Sequence, residues 1–368
     1  MKRGRAHAAV LACLLSAAWA RAQAPMPSPI LSNPSLASTR DYWPTRTWRV
    51  ARPSEKGLEQ SLLAALAERI AGDSILAMVV IKGGYIVSEH YKEGYDSGFR
   101  FNLNSCTKSV TSALVGIALD RGLLAGIDVP IGEFYPQIDR MGDTARKLRI
   151  TLRHLLAMSS GLDWPEWSSW DFYFEPMVRS PRWIDFVLSR PMQSEPGTAF
   201  NYSTGASQVV AGIVQQCAKT SMEDFAGKEV FSRIGIGSLS WPVDPQGVNY
   251  GGHGMRMTAR EAAKFGFLYL NNGLWAGERI VSSGWIAEST RQQSAGHPWF
   301  GKYGLHWWLA PLSSEKAPSM FFAMGYAGQY IFVVPAVDLV AVFFSSMPGE
   351  ESFKPMRYLE QYILKAIR

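Results

Sequence analysis

Ser105 and Lys108 lie three residues apart in NLNSCTKSV, residues 102 to 110. On a helix that spacing puts a hydroxyl and an amine on one face, so they can act as a nucleophile and its base. Lysine ordinarily holds its proton to about pH 10.4, and a charged amine cannot accept another. To act near pH 7 it needs about 4 kcal/mol of differential stabilisation of its neutral form. Burial and the positive end of a helix both push that way. A second S-x-x-K, Ser313–Lys316, falls in PLSSEKAPS between prolines and reads as a solvated loop. A tyrosine from elsewhere is predicted to share the proton work. Tyr202 is the candidate, in the turn after Pro196-Gly197 and just before a helix.

The elements around these residues can be read from periodicity. Val110, Leu114, Ile117 and Ala118 mark the apolar face of a helix behind Ser105, with Asn104 as its N-cap and Gly122 as its stop. Leu58, Leu62, Leu63, Leu66 and Ile70 predict a helix over 57–72. LAMVVIKGGYIVSEHY reads as a hairpin turning at Gly83-Gly84. Residues 110–250 look mostly helical and loop-like. AREAAKFGFLYLNNG predicts a helix ended by Asn271-Asn272-Gly273. KYGLHWWLA, FFAMGYAGQYIFVVP and LVAVFFSS are strand-like, and MRYLEQYILKAI fits a last helix.

The expected fold class is α+β: an antiparallel sheet flanked by helices, with a mainly helical lobe inserted. The boundaries are a signal peptide at 1–24, an extended lead-in at 25–55 and one domain at 56–368. Within residues 56–368, which periodicity alone reads as one domain and the resemblance given below implies is a hydrolase domain, the sheet lobe covers about 56–105 and 250–368, and the helical lobe about 106–249.

Other chemistries find no pattern. There is no G-x-S-x-G elbow, no H-E-x-x-H, and GGHG lacks the Lys-Ser/Thr of a phosphate loop. No cofactor and no metal are expected.

NSCTKS, the downstream YST and the late GYAG, in that order, together resemble the serine β-lactamase and penicillin-binding-protein superfamily. LRHLLAMSSGLDW and GGHGMRMTAREAAKFGFLYLNNG point to its class C-like esterase and amidase branch, which includes 6-aminohexanoate-dimer hydrolases. The resemblance runs from about residue 56 to the C-terminus. It implies that Ser105 is acylated, that Lys108 takes its proton, and that Tyr202 is the tyrosine of a Y-x-N motif. Thr204 stands where that motif has asparagine. Tyr326, Ala327 and Gly328 fall where many relatives carry K-T-G beside the cleft. The backbone N–H groups of Ser105 and Gln329 would form the oxyanion hole, each donor worth about 2.7–4 kcal/mol. A tyrosine in place of the K-T-G lysine removes a counter-ion for a substrate carboxylate, and no E-x-x-L-N stretch occurs. Both favour cleavage of an ester or amide through an acyl-enzyme. A D-alanyl-D-alanine peptidase or weak β-lactamase is the first alternative, and a non-catalytic binding homologue the second. Trp164 and Trp167, in WPEWSSWDFYF, are candidate substrate contacts, with packing between elements as the other reading.

The chain opens MKRGRAHAAVLACLLSAAWARAQA, a basic stretch, a short apolar run and an A-x-A pattern, the order of a cleaved leader. Its removal takes away four basic residues, leaving about +2 of the formal +6. No basic block interleaved with aromatics remains to suggest nucleic acid, and no later apolar segment approaches the ~20 residues of a membrane span. The expected partner is a small ester or amide, with no nucleic acid and no stable membrane insertion, in the periplasm or outside the cell. Cys106 and Cys217 fit either one disulfide or two buried thiols.

Overall fold

The computed structural model describes residues 40–166, 170–310 and 319–368. The predicted leader, most of the lead-in before residue 40, Trp167 and the Ser313–Lys316 pair lie outside them.

Runs of β-branched and aromatic residues build an eight-stranded antiparallel sheet. In chain order its strands are β1 (Ile75–Lys82), β2 (Tyr85–Tyr91), β3 (Ser294–His297), β4 (Gly301–Tyr303), β5 (Trp308–Ala310), β6 (Met320–Gly325), β7 (Gln329–Val334) and β8 (Leu339–Ser345). Their spatial order is β2-β1-β8-β7-β6-β5-β4-β3, so the early hairpin joins the late strands through the β1–β8 pairing inside the sheet. The predicted hairpin at Gly83-Gly84 forms, with both glycines at positive φ.

The two-residue period of the strands divides the interior. Ala77, Val79, Ile81, Ile331, Val333, Val340 and Val342 face one core, while Met78, Val80, Phe332, Ala341 and Phe343 face another. The second core is closed by α1 (Gln60–Ala71), through Leu63, Leu66 and Ile70, and by Tyr358, Leu359 and Ile363 near the C-terminus. The first receives α2 (Thr107–Asp120), α3 (Thr204–Ala218) and α4 (Ala259–Leu270). The chain leaves the sheet side after Phe101–Asn102 and returns at Arg256–Met257, two short strands that pair with each other.

Three local readings change. Asn104 does not cap α2: it sits at φ 46 in a 3₁₀ turn, Asn104–Cys106, that delivers Ser105 before the α-helix begins. KYGLHWWLA is not continuous strand. Gly304 donates its N–H to the Trp307 carbonyl (2.8 Å) and His306 takes φ 60, so β4 and β5 form a hairpin instead. Cys106 and Cys217 are free thiols, which removes the disulfide alternative.

The turn between β6 and β7 is held from outside. The Ser345 hydroxyl lies 2.9 Å from the Ala327 carbonyl and 2.6 Å from that of Gly328. Gly328 has φ +85, and a Cβ there would come 2.2 Å from Ser345 Oγ. Gly328→Ala is therefore expected to cost about 2–3 kcal/mol, from backbone strain and displacement of that hydroxyl. Thermal unfolding should show a midpoint several degrees below wild type; an unchanged midpoint would contradict this account of the turn.

Candidate active site

Ser105 is presented by the 3₁₀ turn, and Lys108 follows within the first turn of α2. Asn104 fixes the turn: its N–H reaches Asn102 Oδ1 and its amide Nδ2 donates to the Tyr326 carbonyl, each at 2.9 Å. The Lys108 amine is buried, with only 1 % of the residue exposed. It lies 3.1 Å from Ser105 Oγ, 3.0 Å from Thr204 Oγ1 and 3.0 Å from the Gly252 carbonyl. Burial lowers its pKa from the ordinary 10.5 to about 8, against a smaller upward pull from Glu166.

Tyr202 precedes α3, whose N-cap Ser203 accepts from the Ala206 N–H. Its hydroxyl hydrogen-bonds the Ser105 side chain, and the Lys108 amine stands 4.7 Å from its ring centre. Desolvation raises its pKa well above the usual phenol value, so it stays protonated and can donate. The structure thus brings Ser105, Lys108 and Tyr202 together.

Two histidines back the amine. His306 Nδ1 lies 3.1 Å from the Lys108 carbonyl, and His253 follows directly on Gly252. Burial pushes both down to about 3, so they are neutral neighbours at pH 7.

Sequence reasoning missed Glu166 and Gly252. The Glu166 carboxylate accepts from the Thr204 N–H, from Thr204 Oγ1 (2.6 Å) and from the Trp164 indole N–H (2.9 Å). The only hint of it was Thr204 in place of asparagine; its partner sits 38 residues away in an aromatic run. Gly252 is required by close approach, because a Cβ there would lie 2.9 Å from Thr204 Cγ2 and 3.2 Å from Lys108 Nζ.

Other predicted site residues are placed differently. Trp164 is fully buried, tilted against Tyr173 and edge-on to Phe186, and touches Glu166 rather than solvent; it is not a substrate contact. Gln329 pairs with Gly325 across a three-residue turn, and β7 is an interior strand. Such a turn closes on a hydrogen-bonded pair, which directs the Gln329 N–H into the ladder and away from the cleft. Its side chain ties Tyr326 to Ser345 through their carbonyls. Gly325, instead, abuts Ser105: a Cβ there would lie 3.0 Å from Ser105 N. Gly328 is buried in the turn and Ala327 is half-buried, while Tyr326 projects outward at 75 % exposure. A cavity of about 440 Å³ beside Tyr202 is lined by Pro165, Glu166, Phe200, Asn201, His297 and Pro298. Among the described residues there is no cluster able to hold a metal ion and no helix long and apolar enough to cross a membrane.

Known proteins share this fold. The chain is 24 % identical over 335 residues to a 6-aminohexanoate-dimer hydrolase of Paenarthrobacter ureafaciens, covering 82 % of this chain and 81 % of that one. A Bacillus anthracis structure, named provisionally as a 6-aminohexanoate-dimer hydrolase, superposes with a TM-score of 0.70 at 20 % identity, over 92 % and 91 % of the two chains. EstCE1, described as a hydrolase with promiscuous acyltransferase activity, superposes at 0.66 with 15 % identity, over 81 % and 96 %. The Beta-lactamase family model matches residues 60–365. The chain belongs to the Beta-lactamase family and is a serine hydrolase.

Proposed function

We propose that the protein cleaves a small, uncharged carboxylic ester or amide through an acyl-enzyme on Ser105. The observation that carries this reading is the dry Lys108 amine, 3.1 Å from Ser105 Oγ, with the Tyr202 hydroxyl bonded to the same serine side chain. Ser105 Oγ attacks the carbonyl as its proton passes to Lys108. Tyr202, protonated and bonded to Ser105, relays a proton to the leaving group. Water then attacks the acyl-enzyme by the same steps in reverse.

The tetrahedral oxyanion needs two N–H donors. Ser105 N is one. The second in this reading is Met324. Gly325 and Ala323 bond towards β7, so Met324 and Phe322 present their N–H groups to the opposite edge. Phe322 pairs there with Trp308 of β5, and Met324 lies beyond that last pair, next to the strand end that abuts Ser105.

Tyr326 offers an exposed ring and no charge at the mouth, which favours neutral substrates over the carboxylates of peptidase and β-lactam chemistry. The names of the relatives, a 6-aminohexanoate-dimer hydrolase and a hydrolase with promiscuous acyltransferase activity, accord with hydrolysis by way of acyl transfer. Export to the periplasm or the medium belongs to the same proposal and rests on the leader-like first 24 residues.

Ser105→Ala should lower short-chain ester turnover by roughly 10⁴-fold or more, and a fluorophosphonate should add its mass to Ser105; turnover surviving that substitution would sink the assignment. The reacting amine must be neutral, so kcat/KM should rise with pH through about 8. A limb near 10 would mean an undisturbed lysine. A panel of esters, linear amides and a chromogenic cephalosporin should rank esters or amides above the cephalosporin.

A further inference from the structure

The neutral Lys108 amine has two hydrogens, one lone pair and three neighbours. The Gly252 carbonyl, at 3.0 Å, can only accept. Ser105 Oγ and Thr204 Oγ1, at 3.1 and 3.0 Å, are hydroxyls that can donate or accept. If both offered hydrogens, the lone pair would be shared between them and the second amine hydrogen would have no acceptor. Catalysis needs Ser105 to donate and Thr204 to accept.

Glu166 decides the second of these. Its Oε2 receives the Thr204 N–H and the Trp164 indole N–H, both obligate donors. Its Oε1 lies 2.6 Å from Thr204 Oγ1. Both oxygens of the carboxylate are acceptors, so the Thr204 hydroxyl hydrogen is committed to Oε1 and a lone pair of Oγ1 is left facing Lys108. Glu166 itself is 5 % exposed, and its carboxylate meets the amine only through that hydroxyl.

We propose that Glu166 is a positioning residue: by holding the Thr204 hydroxyl hydrogen it makes Thr204 an acceptor for Lys108, so that the amine's lone pair faces Ser105. The inference rests on the acyl-enzyme reading above and adds the device that aims its base. In the step itself the Ser105 O–H bond breaks and an N–H bond forms on Lys108. The resulting ammonium then donates to Gly252, Thr204 and the nascent ester oxygen, so no other group has to turn.

Glu166→Gln tests this with little change of shape. The amide oxygen will stay on the two fixed N–H donors, which turns the amide NH₂ towards Thr204 Oγ1. Thr204 then becomes an acceptor from Gln and swings its hydrogen onto the Lys108 lone pair. The substitution also removes a negative charge that raises the Lys108 pKa. The groups facing that amine among the described residues are Glu166, Tyr202, Cys106, His253 and His306. Of these, Glu166 is the one that supplies a carboxylate.

On the full-length protein, Glu166→Gln should lower the plateau of kcat/KM about 100-fold, within the range of a lost general base. KM should be little changed, fluorophosphonate labelling of Ser105 should slow in step, and the acid limb should move below the wild-type value. Thr204→Val should lose rate similarly and Thr204→Ser should keep it. The double variant Glu166→Gln/Thr204→Val should be no worse than either single, because both act through one hydroxyl. A wild-type plateau in Glu166→Gln, a slow variant whose acid limb has not moved, or full activity in Thr204→Val would each overturn the inference. Should Glu166→Gln fail to fold, the Thr204→Ser and Thr204→Val pair decides. Turnover surviving in Ser105→Ala would instead defeat the acyl-enzyme reading itself. An inactive Ser105→Ala beside a fully active Glu166→Gln would defeat only this inference.

Discussion

A lysine amine kept out of water is the constraint around which this site is organised. Holding Lys108 near pKa 8 rather than the ordinary 10.5 corresponds to about 3 kcal/mol against the charged form. The fold supplies it by burying the side chain completely while giving its hydrogens acceptors, so the amine is desolvated without being left unsatisfied. An amine with no acceptors would be too costly to bury, and one bonded directly to a carboxylate would keep its proton. The arrangement lies between those limits. Its acceptors are a carbonyl and a hydroxyl, and the nearest carboxylate stands one hydroxyl away.

Close backbone approach makes this possible. Gly252 brings its carbonyl to the amine where a Cβ would strike Thr204, and Gly325 lets the end of β6 press against Ser105 N. His306, at positive φ, breaks what would otherwise be a continuous strand and sets its imidazole against the Lys108 carbonyl. It and His253 stay neutral at working pH, so burial and Glu166 rather than cationic neighbours set the state of the amine. Strand irregularities that look like packing details therefore serve the electrostatics of one nitrogen.

Much of this was legible in the sequence where the cause is local. Ser105 and Lys108 announce themselves by helical spacing ahead of an apolar-periodic run, Tyr202 by its turn before a capped helix, and the sheet by β-branched alternation. What escaped depends on contacts between distant segments. Glu166 reads as one acid in an aromatic run until folding sets it under Thr204. Trp164 looks like a pocket wall, yet it is buried and holds Glu166. The N–H of Gln329 belongs to a hairpin ladder, and only the strand register reveals that. Asn104 has a good cap's composition, but at positive φ it opens the 3₁₀ turn that presents Ser105, and its amide goes to Tyr326 instead.

Threonine at position 204 and glutamate at 166 are best understood as one unit. The resemblance that identifies Tyr202 carries an asparagine two residues on, and an amide has fixed polarity: its oxygen accepts and its nitrogen donates, whichever neighbour it meets. A hydroxyl has no fixed polarity. Left to itself beside a neutral amine, Thr204 would divide its time between accepting a hydrogen and quenching the lone pair. An acceptor on its far side removes that freedom, and Glu166 is placed there with its other oxygen pinned by two N–H groups that cannot rotate away. A hydroxyl at this position therefore requires an acceptor behind it, and the buried carboxylate, otherwise expensive, is the consequence of that requirement.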